Sequence, residues 1–195
     1  MDDFINLDHA RSKLLTLVDN FPTTNRKYIL KAHNLASKAH TNQVRDEGAP
    51  YIIHPIRVAV CLIEELNISD KNTIACALLH DAVEDTDLTL PEIDDMLGKK
   101  TAKYVSSLTR DKKKQTKYEK FTEIMKQERN IRAIKACDRL DNVRSWPYIP
   151  KSHPSIKKFP RWFREFDKTS LPLAESVDKK LVILMKKALS RAKKY

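Results

Sequence analysis

Two histidines and two aspartates in this chain have the residue types of a metal site. His54 is followed 26 residues later by the pair His80-Asp81, and Asp138 lies a further 57 residues along the chain. Imidazole nitrogens together with carboxylate oxygens suit Mn²⁺, Fe²⁺, Zn²⁺ or Mg²⁺. Each of the four residues adjoins an apolar stretch with helical periodicity, where an unpaired polar side chain would be costly. The sequence therefore predicts a site for a divalent cation, of the kind that metal-dependent hydrolases use.

Two more carboxylates follow the His-Asp pair at helical spacing. Glu84 lies four residues after His80, and Asp85 lies four residues after Asp81. On a continuous helix these four side chains fall within one sector of about 140° and face the same cavity. The alternative is an acidic cluster that caps or salt-bridges a helix end, but the apolar turns before His80 argue against it. We therefore expect two further carboxylates beside the cation.

A polar stripe continues an apolar one on the helix that carries Asp138. Helical spacing extends the stripe of Ile131 and Ile134 through four polar residues, which are Asp138, Asp141, Asn142 and Ser145. Polar residues on an inward-facing stripe break a local rule, and such breaks usually mark function. The alternative is a surface helix whose exposed face begins at this point. We prefer this alternative for Asp141 alone, and the functional interpretation for Asp138 and Asn142.

Helical periodicity recurs along the chain, whereas strand-like alternation is nearly absent and glycine occurs only twice. The pattern predicts an all-α fold, formed by a single domain over residues 1–195. The predicted helices cover residues 8–18, 28–39, 55–66, 70–85, a short segment closed by Gly98, 100–108, 116–145 with a break near Arg129, and 172–193. Four prolines between Trp146 and Pro160 predict an extended loop in that segment.

The net charge of +11, from 37 lysines and arginines against 26 aspartates and glutamates, should attract polyanions. One basic cluster occupies residues 110–114, and another occupies residues 179–194. We expect the second to be a solvated helix face. For the segment 110–117, which contains the first cluster, substrate attraction and a solvated loop are equally open, because a loop at this position can border the site. A nucleic-acid-binding module is a third interpretation of the charge.

Several features indicate a cytoplasmic protein. Hydrophobic residues make up 41% of the chain, and the longest apolar runs are far too short to span a membrane. Residues 1–4 lack the layout of a signal peptide. Cys61, Cys76 and Cys137 are odd in number and lie in apolar helical patterns, which indicates free buried thiols in a reducing compartment.

Four stretches of the sequence resemble the HD-domain superfamily of metal-dependent phosphohydrolases, and within it the hydrolase domain of RelA/SpoT homologues, specifically the stand-alone small alarmone hydrolases. The stretches cover residues 39–55, 77–86, 105–109 and 135–144, and the second contains the His-Asp pair. A bare His-Asp doublet is a weak signal, whereas four linked stretches in order are specific. The resemblance spans about residues 28–146 and leaves residues 147–195 as a helical C-terminal extension.

The resemblance implies an HD-domain helical bundle and a role for each residue of the site. The residues that would hold one metal ion, usually Mn²⁺, are His54, His80, Asp81 and Asp138. Glu84 and Asp85 would orient and deprotonate the attacking water. The residues that would bind the substrate are Arg45, Tyr51, Asn142 and Ser145. The implied reaction removes the 3′-pyrophosphate from ppGpp or pppGpp and gives GDP or GTP and pyrophosphate.

The chain departs from the family pattern at two positions. The family often has a histidine or an aromatic residue at the position of Asp141, and a basic residue at that of Asp46. Acidic replacements near a polyanion's pocket open the alternative that the substrate is another phosphorylated nucleotide, such as NADPH. A two-metal phosphodiesterase is disfavoured, because no histidine lies between Asp81 and Asp138 to supply further ligands.

The intact metal and carboxylate positions also disfavour a nucleic-acid-binding module, which has no physical reason to keep them. The expected partner is a small-molecule nucleotide, with no membrane involved. A homo-oligomer stays open, since the sequence does not decide the oligomeric state.

Overall fold

The computed structural model describes residues 3–195, and within them it contains twelve α-helices and no strand. The helices are α1 (Leu7–Val18), α2 (Thr23–Ala39), α3 (Ile53–Leu66), α4 (Lys71–Leu79), α5 (Ala82–Asp85), α6 (Leu90–Leu97), α7 (Lys99–Leu108), α8 (Lys117–Met125), α9 (Arg129–Ser145), α10 (Phe159–Glu165), α11 (Leu171–Glu175) and α12 (Lys179–Lys193). The predicted all-α fold and the break near Arg129 are confirmed. None of the helices in this range has both the length and the apolar composition needed to cross a membrane.

Side-chain caps encoded in the sequence set the starts of two helices near the site. Thr89 and Glu92 form a capping box at the start of α6, and Thr116 and Glu119 form another at the start of α8. In each box, two backbone N–H groups that the helix leaves unpaired are satisfied by side chains. Gly98 ends α6, as predicted, with a φ of 81° that favours glycine.

Helix α4 packs against four other helices and is the most buried element of the fold. Its residues 73–79 are all buried, and it contacts α2, α3, α7 and α9. Helix α3 also packs on α1 and α9, and α12 packs on α9. A continuous apolar core reaches from α1 to α12. Because α3, α4 and α9 contact one another, the residues they carry are held at fixed distances.

Three predicted elements differ from the structure. The helix expected over residues 70–85 is interrupted, because α4 ends at Leu79 and a turn at residues 80–81 precedes α5. The helix expected over residues 172–193 is divided into α11 and α12. The loop expected from Trp146 to Pro160 contains two 3₁₀ turns, each with a proline in its first turn. Proline fits the first turn of a helix, so these prolines begin short helical segments there.

A tight loop before α3 carries Arg45. The N–H of Gly48 donates to the backbone O of Arg45, and the N–H of Arg45 donates to that of Ala49, both at 2.9 Å. The N–H of Tyr51 closes the loop on the backbone O of Gln43, also at 2.9 Å. Gly48 has a φ of 85°, in the left-handed region that favours glycine. The loop therefore holds Arg45 and Tyr51 at the N-terminal end of α3.

Candidate active site

Two helices and a turn bring the four predicted metal ligands together. His54 lies in the first turn of α3, and His80 and Asp81 form the turn between α4 and α5. Asp138 comes from the middle of α9, which packs against both α3 and α4. His54, His80 and Asp138 are buried, and Asp81 is partly exposed. Residues far apart in sequence thus meet at one place at the edge of the core.

The ligand atoms of these residues lie within a few ångströms of one another. Nε2 of His54 is 3.2 Å from Oδ1 of Asp138 and 3.6 Å from Oδ2 of Asp81. Nε2 of His80 is 3.3 Å from Oδ2 of Asp81 and 3.8 Å from Oδ1 of Asp138. Ligand atoms of His54, His80 and Asp81 all lie within 4.8 Å of one another, so these three residues can hold a metal ion.

The ring of His80 is oriented for a cation. Its Nδ1 lies 2.8 Å from the backbone O of Ala77 and donates to it, because a carbonyl oxygen can only accept. Its Nε2 is buried and makes no hydrogen bond to any residue between 3 and 195. A buried ring nitrogen without a partner is costly, and so is a pair of carboxylates beside it, unless a cation lies between them. The residues present therefore fit a divalent cation.

Both aspartates are held in the charged form. Burial alone would raise the pKa of the Asp81 carboxyl, but nearby His80, Lys135 and His54 outweigh it and lower this pKa to about 2. Burial also opposes ionisation of Asp138, but the Lys135 charge and the neighbouring rings of His54 and His80 hold its pKa well below the usual range. Nζ of Lys135 lies 2.7 Å from Oδ2 of Asp138. At neutral pH the cluster therefore contains two carboxylates that attract a cation.

Tyr51, which the family resemblance assigns to the substrate, contacts a predicted metal ligand. Its hydroxyl donates to Oδ2 of Asp81 at 2.8 Å, and its ring stacks on His40 at a centroid distance of 4.6 Å. Burial, and then the negative charge of Asp81, raise the pKa of Tyr51, so its hydroxyl stays a donor. Nδ1 of His40 lies 2.8 Å from Oε1 of Gln43. These contacts orient the Asp81 carboxylate.

Glu84 and Asp85 line different cavities, so the expectation that both face the cavity of the metal ligands was wrong. Glu84 lines the same cavity as Asp81, whereas Asp85 lines a neighbouring one. Oε2 of Glu84 accepts from the N–H of Arg110 at 3.1 Å, and Oδ1 of Asp85 lies 2.6 Å from Nζ of Lys112. The helix is interrupted between α4 and α5, so the i, i+4 spacing does not place Glu84 and Asp85 on the same face as His80 and Asp81.

Tyr51 and the other three predicted substrate residues line one cavity. Nη2 of Arg45 donates to Oδ1 of Asn142 at 3.0 Å and to Oγ of Ser145 at 3.4 Å. Nδ2 of Asn142 donates to Oδ1 of Asp138 at 2.6 Å. Arg45, Asn142 and Ser145 line a cavity of about 230 Å³ with Trp146. Asn142 therefore connects this cavity directly to the metal cluster.

Asp141 is 4% exposed, so the expectation of a surface position was wrong. Its Oδ2 lies 2.6 Å from Nδ1 of His54, and its Oδ1 accepts from Nε of Arg57 at 2.7 Å. Burial would raise the pKa of Asp141, but Arg57 and His54 outweigh it and lower this pKa. Both partners come from α3, so the sequence of α9 alone gave no sign of them. Asp141 lines neither the cavity of Glu84 nor that of Asn142.

A basic cavity adjoins the metal cluster. It measures about 160 Å³, and Asp81 and Glu84 line part of its wall. Thr169 and five basic side chains supply the remaining polar wall, and the basic side chains are Arg110, Lys117, Lys120, Lys135 and Arg139. Such a concentration of positive charge favours a ligand with several negative charges.

Of these five basic residues, Arg110 and Lys117 lie in the segment 110–117 that the sequence indicated for substrate attraction. Lys135 and Arg139 lie four residues apart on α9, on either side of Asp138, and that spacing was an available signal. Lys117 and Lys120 reach the cavity from α8, a position that only the folded chain defines. Burial lowers the pKa of both lysines.

A third cavity lies between the basic cavity and the cavity of Arg45 and shares wall residues with each. It measures about 170 Å³, shares Lys117 and Arg139 with the basic cavity, and shares Asn142 with the other. The rings of Trp146 and Trp162 line it and stack on each other at a centroid distance of 5.4 Å. The three cavities adjoin one another through these shared residues, and we call the three together the groove; it is basic beside the metal cluster and has aromatic walls at Trp146 and Trp162.

Comparisons of the sequence with known proteins identify its relatives. The family model for the HD domain matches residues 32–158. The chain is 37% identical over 121 residues to guanosine-3′,5′-bis(diphosphate) 3′-pyrophosphohydrolase MESH1 of Danio rerio, a match that covers 60% of this chain and 67% of that protein.

Two longer relatives match over a smaller part of their length. The chain is 35% identical over 161 residues to a guanosine-3′,5′-bis(diphosphate) 3′-pyrophosphohydrolase of Aquifex aeolicus, covering 79% of this chain and 22% of the relative. It is 35% identical over 133 residues to the bifunctional (p)ppGpp synthase/hydrolase SpoT of Escherichia coli, covering 64% of this chain and 19% of that protein. The chain therefore spans about a fifth of the length of these relatives.

Solved structures share the fold. A metazoan orthologue of SpoT, described as hydrolysing ppGpp, matches with a TM-score of 0.76 and 23% identity, over 88% of this chain and 97% of that one. The protein lmo0812 of Listeria monocytogenes matches with a TM-score of 0.56 and 21% identity, over 77% of this chain and 99% of that one. The sequence matches and the fold agree, and the chain belongs to the HD-domain family and, within it, to the hydrolase domains of the RelA/SpoT homologues.

Proposed function

We propose that this protein is a metal-dependent (p)ppGpp 3′-pyrophosphohydrolase, which releases pyrophosphate and leaves GDP or GTP. The observation that carries the proposal is the position of the His54, His80 and Asp81 cluster at the edge of a cavity lined by five basic side chains. A pyrophosphate group has several negative charges and suits such a cavity better than a monophosphate does. The name of the Danio rerio relative states the same activity for that protein.

We propose Mn²⁺ as the metal ion, with His54, His80, Asp81 and Asp138 as its ligands. Mixed imidazole and carboxylate donors suit this ion. When bound, a divalent cation lowers the pKa of water and neutralises charge on phosphoryl oxygens. The two carboxylates balance its charge, and the Tyr51 hydroxyl orients one of them.

We propose Glu84 as the general base. It lines the cavity of Asp81, where a water attacking a bound phosphoryl group would lie, and its carboxylate would take the proton of that water. The N–H of Arg110 holds Oε2 of Glu84 in place. Asp85 is proposed to orient the site, because its pairing with Lys112 ties the loop at residues 109–116 to α5.

The groove suggests how the substrate is bound. The basic cavity would receive the 3′-pyrophosphate, and its cationic groups would stabilise the charge on the leaving group. Arg45, Asn142 and Ser145 would contact the ribose and the remaining phosphates from the adjoining cavity. The paired rings of Trp146 and Trp162 offer a surface on which a base can stack.

Pyrophosphate release from ppGpp by the purified full chain, with Mn²⁺ and with chelator, tests the proposed function. We expect release with Mn²⁺ and none with chelator. No release from ppGpp or pppGpp by protein that binds Mn²⁺ would reject the alarmone substrate. Release of orthophosphate from NADPH under the same conditions, measured with a phosphate assay, would then favour the alternative nucleotide.

We also propose that residues 1–195 form one hydrolase domain located in the cytoplasm. The apolar core joins the segment after residue 146 to the helices of the site, which supports one domain. Cys61, Cys76 and Cys137 are free and buried, which suits a reducing compartment.

A further inference from the structure

The contact between Asp141 and His54 fixes which ring nitrogen of His54 faces the metal cluster. Asp141 lies 2.6 Å from Nδ1, and its carboxylate can only accept, so Nδ1 carries the proton. Nε2 is then the nitrogen with the free lone pair, and it faces Asp81 and Asp138. In metal sites, a carboxylate behind a histidine commonly fixes the ring in this way.

Arg57 in turn fixes Asp141. Its Nε donates to Oδ1 of Asp141 at 2.7 Å and its Nη2 donates to Oδ2 at 3.0 Å, a two-pronged contact that leaves the carboxylate one orientation. A third nitrogen of Arg57, Nη1, donates to the backbone O of Phe4 at 2.8 Å, and the guanidinium lies 4.0 Å from the centre of the Phe4 ring. Arg57 is therefore held from two sides.

Glu47 links Arg57 to the substrate groove. Its Oε1 accepts from Nη2 of Arg57 at 3.2 Å and from Nε of Arg45 at 2.8 Å, and its side chain is 0% exposed. The second carboxylate oxygen, Oε2, is buried and has no hydrogen-bond partner within residues 3–195, so Oε1 makes both contacts. The two arginines and the two carboxylates of Glu47 and Asp141 balance in charge.

These contacts close a ring of side chains. From His54 the ring runs through Asp141, Arg57, Glu47 and Arg45. It then continues through Asn142, which accepts from Arg45 and donates to Asp138, and returns to His54 across a gap of 3.2 Å. Two predicted metal ligands (His54 and Asp138) and two predicted substrate residues (Arg45 and Asn142) thus belong to one buried, hydrogen-bonded unit.

We propose that Asp141 and Arg57 are positioning residues of the metal site. Asp141 holds His54 with Nε2 toward the ion, and Arg57 holds Asp141 while it holds Arg45 through Glu47. This inference rests on the proposed function for its metal and its substrate. Asp141, which departs from the family pattern in the sequence, therefore has a positioning role in the site.

Binding of Mn²⁺ to the full chain, measured by isothermal titration calorimetry, tests the proposal. Loss of a group that supports a metal ligand typically weakens metal binding by about 10–100-fold. We expect a loss in that range for D141A. D141N keeps an oxygen that can accept from His54 but loses the charge paired with Arg57, so we expect a smaller loss.

The matched control is E65A. Glu65 also lies on α3 and pairs with Arg144 of α9 at 3.7 Å, so it joins the same two helices as Arg57 and Asp141 without contacting His54. We expect wild-type Mn²⁺ affinity from E65A. If D141A binds Mn²⁺ as tightly as the wild type, or if E65A loses as much as D141A, the proposal is overturned.

The tautomer of His54 gives a readout that needs neither metal nor substrate. Nitrogen-15 chemical shifts of the metal-free protein should show His54 protonated at Nδ1 in the wild type, and should show a mixture in the isosteric D141N or in D141A. A wild-type ring protonated at Nε2 and not at Nδ1 would overturn the proposal. If the tautomer and Mn²⁺ affinity respond as expected while ppGpp is not cleaved, the positioning role stands and only the proposed substrate fails.

Arg57 contacts both Asp141 and Glu47, so its substitution should affect substrate binding as well as metal binding. At saturating Mn²⁺, R57Q should raise the KM for ppGpp because it releases Arg45, whereas D141N should act mainly on Mn²⁺ affinity. An unchanged KM in R57Q would remove the link through Glu47 from the proposal.

Discussion

Replacement of Glu84 by glutamine separates the proposed base from the metal ligands. Glutamine keeps the shape of the side chain and an oxygen that can accept from the N–H of Arg110, which lies 3.1 Å from Oε2 of Glu84. The loop at residues 109–116 should therefore stay docked. The substitution removes the charge that would accept a proton from the attacking water, together with the ion pairs of Oε1 with Nη2 of Arg110 at 3.6 Å and with Nζ of Lys112 at 3.7 Å.

The expected loss follows from the role of the carboxylate. A positioned general base contributes about 10²–10⁴-fold to the rate. This range corresponds to about 2.7–5.4 kcal/mol of transition-state stabilisation. Glu84 lines the cavity but is not among the residues whose ligand atoms cluster, so Mn²⁺ affinity should change by less than the roughly tenfold expected for a residue that supports a ligand.

Steady-state pyrophosphate release at saturating ppGpp and Mn²⁺ measures kcat, and calorimetry of the same samples measures the Kd for Mn²⁺. The control is D87N, which removes an exposed carboxylate three residues away and should keep wild-type turnover. Wild-type kcat in E84Q would remove Glu84 from the mechanism. Loss of Mn²⁺ binding in E84Q would instead make Glu84 a ligand.

Three further substitutions test the site and the fold. D81A should abolish turnover and Mn²⁺ binding while far-UV circular dichroism stays wild-type, and full turnover would exclude Asp81 as a ligand. D70A removes the cap that accepts from Thr73 at the start of α4 and should destabilise the protein by about 1 kcal/mol at pH 7. Burial would raise the pKa of Asp70, but hydrogen bonds from Thr73 outweigh burial and lower this pKa. The stabilisation by the cap is therefore fully present above the ordinary pKa of 3.8, and it is lost as the pH falls through the lower pKa of the folded state. Urea midpoints of D70A and wild type should therefore differ at pH 7 and converge at pH 2, and equal midpoints at pH 7 would exclude the cap. I134A removes a fully buried side chain from α9 and should cost about 2–5 kcal/mol in urea unfolding, and a smaller loss would mean that the site collapses around the gap.

The metal cluster could be predicted because its residues break the apolar pattern around them. His80 and Asp81 follow a run of apolar residues, and Asp138 interrupts a stripe that begins at Ile131 and Ile134. Polar groups in such places need partners, and the need is visible in the sequence alone. The structure brings His80, Asp81 and Asp138 together. Periodicity predicts that these residues face inward but does not predict that they meet.

The interruption between α4 and α5 could not be predicted from the same pattern. The segment from residue 70 to residue 85 keeps its apolar periodicity across the turn, and neither glycine nor proline marks the break. The prediction that Glu84 and Asp85 share a cavity depended on an unbroken helix and failed with it. The environment of Asp141 was equally hidden, because Arg57 and His54 lie more than 80 residues earlier in the chain.

The buried position of Asp141 means that the two departures from the family pattern do not bear equally on the identity of the substrate. Both placed a negative charge near a pocket for a polyanion, which left the substrate in doubt. The carboxylate of Asp141 is paired with Arg57 behind His54 and lines none of the three cavities of the groove. Asp46 is exposed and lines the cavity of Arg45. The basic cavity keeps its five cationic side chains, so of the two departures Asp46 is the one placed to affect substrate choice, through the ribose and phosphates that we propose for the cavity of Arg45.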